Sequence, residues 1–176
     1  GAGAFTLNAG ATLGIASTAG ITSSGASGNI QTTTRTFTSG ANYIYNGSSS
    51  QDTGSGLPTG AGAIASLTIN NGSGVTLTGD ASLSGNLTLT SGKLTTGANT
   101  LSLASASTIS GASSSYYVVG NLLKAFGTGA GQSFTYPIGS STVYAPVALA
   151  SMTVSVAGSL KVSTTSSDHP NIGTAG

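Results

Sequence analysis

Asp52, Asp80, Asp168 and His169 are the side chains through which this chain could transfer protons near neutral pH. Acid–base catalysis needs such groups positioned against one another. Asp52 sits in a polar, glycine-containing stretch and Asp80 follows Gly79, so both read as Asx-turn residues. Asp168 and His169 form the one acid–imidazole neighbourhood, but adjacent residues do not orient each other as a triad does. They read as a turn before Pro170. Serine is abundant, yet Gly-x-Ser-x-Gly does not occur, so no nucleophile elbow is signalled. The Gly-x-Gly pairs at Gly54/Gly56, Gly60/Gly62, Gly72/Gly74 and Gly127/Gly129/Gly131 lack the spacing of a dinucleotide loop and a following helix pattern. Lys93 follows Gly92 without the rest of a P-loop. The carboxylates are too few and too dispersed for a calcium site. With no Cys, neither a disulfide nor a thiolate metal site is available. The expectation is a protein that is not an enzyme and takes no cofactor or metal.

Two polar signals remain. Asn46, Asn71 and Asn86 satisfy the N-x-[ST] glycosylation pattern, which a Ser/Thr-rich chain produces by chance. The tyrosines Tyr43, Tyr45, Tyr116, Tyr117, Tyr136 and Tyr144 read either as interface anchors or as core and cap packing.

Composition narrows the class. The 176 residues are 4% charged, with a formal net charge of +1, against roughly 25% charged in ordinary soluble domains. Mean hydropathy is +0.24, which excludes the low-hydropathy, high-charge regime of intrinsic disorder. Arg35, Lys93, Lys124 and Lys161 are scattered, so no basic patch exists to release counterions from a nucleic acid. Near-zero net charge promotes association. It suits a chain that assembles or works outside the cell. No run approaches the roughly 18 apolar residues of a membrane helix. The strands mostly fall short of the ~10 residues that a membrane barrel needs. The chain opens at Gly1 without Met and shows no signal peptide, which suggests a mature or excised piece.

The elements are legible between Ile64 and Ser110. Leu67-Thr-Ile69, Val75-Thr-Leu77, Leu87-Thr-Leu89 and Leu101-Ser-Leu103 alternate with period two, and Gly, Asn, Ser and Asp separate them. Such short strands cannot form a core alone, so they must stack. Ser, Thr and Asn can ladder between strands about 4.8 Å apart without the repulsion of like charges. Upstream, Phe5-Thr-Leu7, Leu13-Gly-Ile15, Thr32–Thr38 and Tyr43-Ile44-Tyr45 read as strands. Residues 48–62 lack any strand pattern and read as a surface loop. Downstream, Tyr116–Val119 and Leu122–Phe126 are bulky strands, 127–132 a flexible loop, Val143–Leu149 an edge strand around Pro146, and Met152–Val162 a hairpin. The expected fold is all-β: a parallel β-helix or solenoid-like stack over 1–112, then a smaller antiparallel β-sandwich-like or capping part over 113–176. Uneven spacing marks a degenerate repeat.

GNIQTTTRTFTSGANYIYNG (28–47), LTLTSGKLTTGANTLSL (87–103), YVVGNL (117–122), YPIG (136–139), YAPV (144–147) and DHPNI (168–172) resemble, in that order, recurring segments of very large secreted surface proteins of Bacteroidota-type bacteria. That resemblance implies parallel β-helix-like rungs, export by the type IX route, and roles in surface filaments or adhesion. It carries over no catalytic residue.

The expected function is that of a structural extracellular protein at the cell surface, a filament subunit that adds copies of itself head to tail through strand edges. Phe5, Leu7, Tyr116, Tyr117, Phe126, Tyr136 and Tyr144 are the candidate subunit contacts. The alternative is an adhesin module of a longer surface protein, binding glycans or surfaces through Ser/Thr/Asn/Tyr faces. Neither reading involves nucleic acid or a membrane span. Ice binding through Thr76, Thr78, Thr88 and Thr90 is a weaker third, because uneven spacing opposes a flat lattice.

Overall fold

A computed structural model describes residues 2–164. It is all-β, a parallel β-solenoid of about four turns with a small antiparallel sheet. The Asp168–His169 pair and the DHPNI segment lie outside the described residues.

The chain coils through three sides. The first turn carries β1 (Ala4–Leu7) and β2 (Thr12–Ile15). The second carries β3 (Thr34–Phe37), β4 (Ala41–Tyr45) and β5 (Gln51–Asp52). β6 (Ile64–Asn70) and β7 (Val75–Thr76) follow, then β8 (Ala81–Leu83), β9 (Leu87–Ser91) and β10 (Leu94–Leu103). β10 bends through Gly97 into the next turn, which continues with β11 (Ile109–Ser110). β12 (Val118–Phe126) starts the last turn. β13 (Gly129–Tyr136), β14 (Ile138–Gly139), β15 (Val147–Val154) and β16 (Gly158–Val162) complete the order.

Parallel pairing stacks each side. β2, β4, β6, β9 and β11 form one side. β5, β7, the start of β10, the start of β12, and β14 form the second. The third carries β8, the end of β10 and the end of β12. β1 and β3 pair as a separate two-stranded sheet in the first two turns.

Period two decides what goes inside. Ile15, Tyr45, Ile69 and Leu89 stand in register and are buried, as are Val75, Leu94, Val118 and Ile138. Each such aliphatic side chain contributes about 1.5–3 kcal/mol on burial. Asparagine and hydroxyl side chains tie turn to turn. Asn99 Nδ2 donates to the Leu77 carbonyl (2.9 Å), and Asn86 Oδ1 accepts from the Thr108 amide (3.0 Å). Register partners on successive turns lie 30 residues apart at Thr12 and Asn42 but 20 apart at Leu67 and Leu87, so turn length is uneven. The corners absorb that variation while the register columns hold.

Four expectations change. Residues 48–62 are not wholly loop: Gln51–Asp52 is β5, its inward position occupied by a buried glutamine that no apolar pattern reveals. The boundary expected at 112 falls inside the parallel ladder. Leu94 pairs with Val118, Leu101 with Leu122, and Val118 in turn with Ile138. The bulk of Tyr116–Val119 suggested a new domain, but bulk does not set strand direction. Residues 129–132, expected as flexible loop, open β13 through two register irregularities. The 152–162 hairpin does not form: β15 pairs with β13, whereas β16 returns to β12, both antiparallel. The antiparallel part is thus a two-stranded ribbon, β13–β15, plus one strand laid on the last turn of the solenoid.

Tyr43 and Tyr45 test the polar accounting of the core. Both are fully buried in the second turn. Tyr45 donates its hydroxyl to the Thr53 carbonyl (2.8 Å), whereas the Tyr43 hydroxyl has no partner. A buried group without a partner carries its full desolvation cost. Tyr43→Phe is therefore expected to be neutral or to stabilise by about 1 kcal/mol, and Tyr45→Phe to destabilise by about 1–2 kcal/mol. Paired urea melts check the opposite signs.

Candidate functional site

Arg35, Asp80, Lys93 and Lys124 bond the scaffold through their side chains. Arg35, on β3, donates to the carbonyls of Thr32 and Thr22, to Thr22 Oγ1 (2.6 Å) and to Gly25. It thereby pins the 22–33 loop. Asp80 Oδ1 accepts the Thr100 amide (2.8 Å), a bond from one turn to the next. Asp52 is exposed at the end of β5. The two aspartates thus lie on separate turns. Among the described residues no three His, Cys, Asp or Glu side chains group to hold a metal, and no helix is long and apolar enough to cross a membrane.

Lys124 is the least ordinary of them. It occupies the inward position in register with Leu103 and is 3% exposed. Its Nζ donates to the carbonyls of Ala104 (2.8 Å), Ser105 (2.7 Å) and Ala125 (3.0 Å) and lies 5.3 Å from the Phe134 ring. Three acceptors match three ammonium protons. Burial pushes its pKa below the ordinary lysine value. Its position closes an apolar column with a hydrogen-bonded cation.

The expected contact residues divide by place. Phe5 is partly exposed on β1 and packs on Phe37 at 5.8 Å. Leu7 is 6% exposed. Tyr116 and Tyr144 are partly exposed. Tyr117 is buried, with its hydroxyl on the Ser140 carbonyl (2.9 Å), its ring 5.2 Å from Tyr144, and Lys93 Nζ over its face. Tyr136 is buried, stacked edge-on with Phe134, its hydroxyl on the Leu160 carbonyl (3.1 Å). Phe126 is 9% exposed at the end of β12. Tyr117 and Tyr136 therefore hold the last turn together from within, and the partly exposed members lie toward the two ends.

The ends differ. Among the described residues, β1 pairs only with β3 and β2 only with β4 at the first turn, so each leaves one edge open. Asn29 closes part of the β2 edge, accepting the Ala16 amide and donating to the Gly14 carbonyl. At the last turn, β16 lies antiparallel on β12, and among the described residues no strand pairs with its far edge. The exposed large hydrophobics Val143, Val147, Val156 and Leu160 all lie at this end. A groove of about 220 Å³ runs between β15 and β16, lined by Phe126, Leu149, Met152, Val154, Val156 and Leu160. Sequence reasoning missed Val156 and Leu160. The Leu160-Lys-Val162 alternation was their signal, misassigned to a hairpin.

Three of the buried tyrosines, Tyr43, Tyr45 and Tyr136, give the chain a pH limit. Burial raises the Tyr43 and Tyr136 hydroxyls to about 12, and burial with the neighbouring Tyr43 raises Tyr45 well above its usual value. An acid whose pKa is raised by folding contributes stability below its unfolded value, 10.0, and loses it as pH climbs through the folded value. Lys124 acts with the opposite sign, its burial penalty easing as it deprotonates, but it is one group against three. The melting temperature is expected to fall between pH 10 and about 12, together with a rise in tyrosinate absorbance. Ionisation of all six tyrosines well before melting would contradict the assignment.

No protein-family model, curated protein or solved structure matches this chain.

Proposed function

We propose that this chain is a structural extracellular protein, a subunit of a surface filament that grows head to tail through its strand edges. The observation that carries the proposal is the pair of unlike ends, each with a strand edge unpaired among the described residues: β1 and β2 at one, β16 at the other. Open edges template pairing with another chain. Unlike ends favour head-to-tail addition, which leads to open polymers when the rotation does not close. A surface with 4% charged residues offers little repulsion against such addition. The resemblance to large secreted surface proteins supports the same location. Negative-stain microscopy and light scattering across concentration test it. Filaments and rising mass are expected. Compact 16.7 kDa monomers at high concentration would overturn it.

An adhesin module of a longer surface protein is the second reading. Its support is two outward polar columns, the hydroxyls of Thr68–Thr88–Ser110 and the carboxylate and hydroxyls of Asp52–Thr76–Thr95, a hydrogen-bonding surface suited to glycans. Ile44 and Gly14 extend the first column without a hydroxyl, which weighs against a regular ice-binding array. Glycan binding by monomers that never assemble would favour this reading.

A further inference from the structure

We infer that residues 22–33 are a releasable cap on the free edge of β2, and that Asn29 holds the place of a strand from the next copy. The inference rests on the filament reading and adds how that edge is controlled.

The loop exists because the first turn is long. Thr12 pairs with Asn42, 30 residues on, whereas Leu87 pairs with Ile109, 22 on. The surplus runs between Ile21, which is fully buried, and β3. It folds back onto β2. The other edge of β2 is closed by β4, where the Asn42 and Asn46 amides donate to the Ala11 and Ile15 carbonyls (2.8 and 2.9 Å). Backbone groups of alternate residues face opposite edges of a strand. The Gly14 carbonyl and the Ala16 amide, on either side of Ile15, therefore face away from β4. A parallel strand would meet that pair with the N–H and C=O of one residue. Asn29 meets it with one side-chain amide: Nδ2 donates to the Gly14 carbonyl (3.2 Å) and Oδ1 accepts the Ala16 amide (3.0 Å). A side chain thus stands where the backbone of another rung would stand. Asn121 serves differently. It reaches the Asn99 carbonyl (3.0 Å) between β12 and β10, which are already paired.

Polar bonds hold the cap. None of its side chains is a buried hydrophobic. Arg35 donates to the Thr22 and Thr32 carbonyls (each 3.0 Å) and to the Gly25 carbonyl. Ser23 Oγ lies 3.2 Å from Ser55 Oγ, both residues exposed. A segment with few buried apolar contacts and water-exposed hydrogen bonds opens at low cost. Covering an edge with a loop also restrains unregulated pairing. An incoming strand replaces both bonds of Asn29 and pairs with the rest of the β2 edge, which no strand takes among the described residues. The exchange therefore favours assembly once a second copy is in place.

The chain has no cysteine, so Ser23→Cys with Ser55→Cys can tie the cap down by a single disulfide in the full-length protein. Side-chain oxygens 3.2 Å apart put the two positions within reach of that bond. Elongation from filament seeds, followed by light scattering, is expected to fall at least tenfold with the bond closed and to recover on reduction. Asn29→Ala is expected to lower the concentration at which filaments appear at least tenfold. Asn99→Ala removes a comparable bond, to the Leu77 carbonyl, inside the stack and controls for loosening alone. It should bring no such gain. Parental elongation with the cap tied would overturn the cap. So would Asn29→Ala that promotes nothing, or no more than Asn99→Ala does. In each case filaments of the parent chain leave the filament reading standing. A chain that stays monomeric in every form at high concentration would overturn both.

Discussion

Gly92→Ala is expected to destabilise the protein by about 3 kcal/mol or more, seen as a fall of roughly 10 °C in melting temperature for a chain of this size. Gly92 makes the corner between β9 and β10 with φ at +79°, in the left-handed region. A Cβ there would land on the carbonyl of Asn71, one turn below. Two costs therefore add. The left-handed conformation costs a non-glycine residue about 1–2 kcal/mol. The rest comes from driving apart two turns whose backbones are hydrogen-bonded at this corner, through the Asn71 amide and the Ser91 carbonyl (3.1 Å). Gly97→Ala separates the terms. Gly97 also has positive φ, +60°, but nothing lies within 4 Å of the added carbon. It should cost only the conformational part, about 1–2 kcal/mol. Equal losses at both positions would show that turn spacing at Gly92 is softer than the ladder implies.

The same contrast explains what was legible before coordinates. Leu67-Thr-Ile69 and Leu87-Thr-Leu89 announce rung strands because an alternating strand with one buried face has one reading, and the two pair in register, Leu67 with Leu87. The all-β solenoid was legible for that reason. What alternation does not carry is the identity of the neighbour. Leu160-Lys-Val162 alternates as well as any rung strand, yet nothing local says whether it pairs with the strand before it or returns to β12. The ends of the stack were therefore the least legible part, and the candidate site lies there. Polar residues turned inward were invisible for a related reason. Gln51 and Lys124 occupy core columns beside Val75 and Leu103, and each is tolerated because carbonyls and amides at a corner satisfy it. A hydropathy pattern scores such residues as breaks, so β5 disappeared into a loop. Tyr117 and Tyr136 failed differently. Aromatic residues with a polar tip suit an interface or a core with a carbonyl in reach, and only the fold supplies the carbonyls of Ser140 and Leu160.

Gln51 should prove the most sensitive polar side chain in the protein. It is 2% exposed. Its Oε1 accepts the Gly47 amide (2.8 Å) and Asn71 Nδ2 (2.8 Å), while its Nε2 donates to the carbonyls of Ile15 and Ser17, each at 2.9 Å. One amide thus joins three successive turns at a corner, and both its ends matter. Gln51→Ala removes the packing and orphans the Gly47 amide, for an expected loss of about 3 kcal/mol or more. Gln51→Leu keeps most of the volume, so its loss should be nearer the cost of one buried unpaired amide, about 1–3 kcal/mol. Gln51→Glu is the decisive variant. An ionised carboxylate still accepts from Gly47 and Asn71 but sets negative oxygen against the Ile15 and Ser17 carbonyls. Protonation restores a donor to one of them. Folding should therefore raise the pKa of this glutamate. Its variant should match the parent most closely below about pH 4 and lose stability as pH rises above that. Melting curves of parent and variant at acid and neutral pH measure the difference. A Gln51→Glu protein equally destabilised at both would mean that the corner responds to shape alone and not to the direction of its hydrogen bonds.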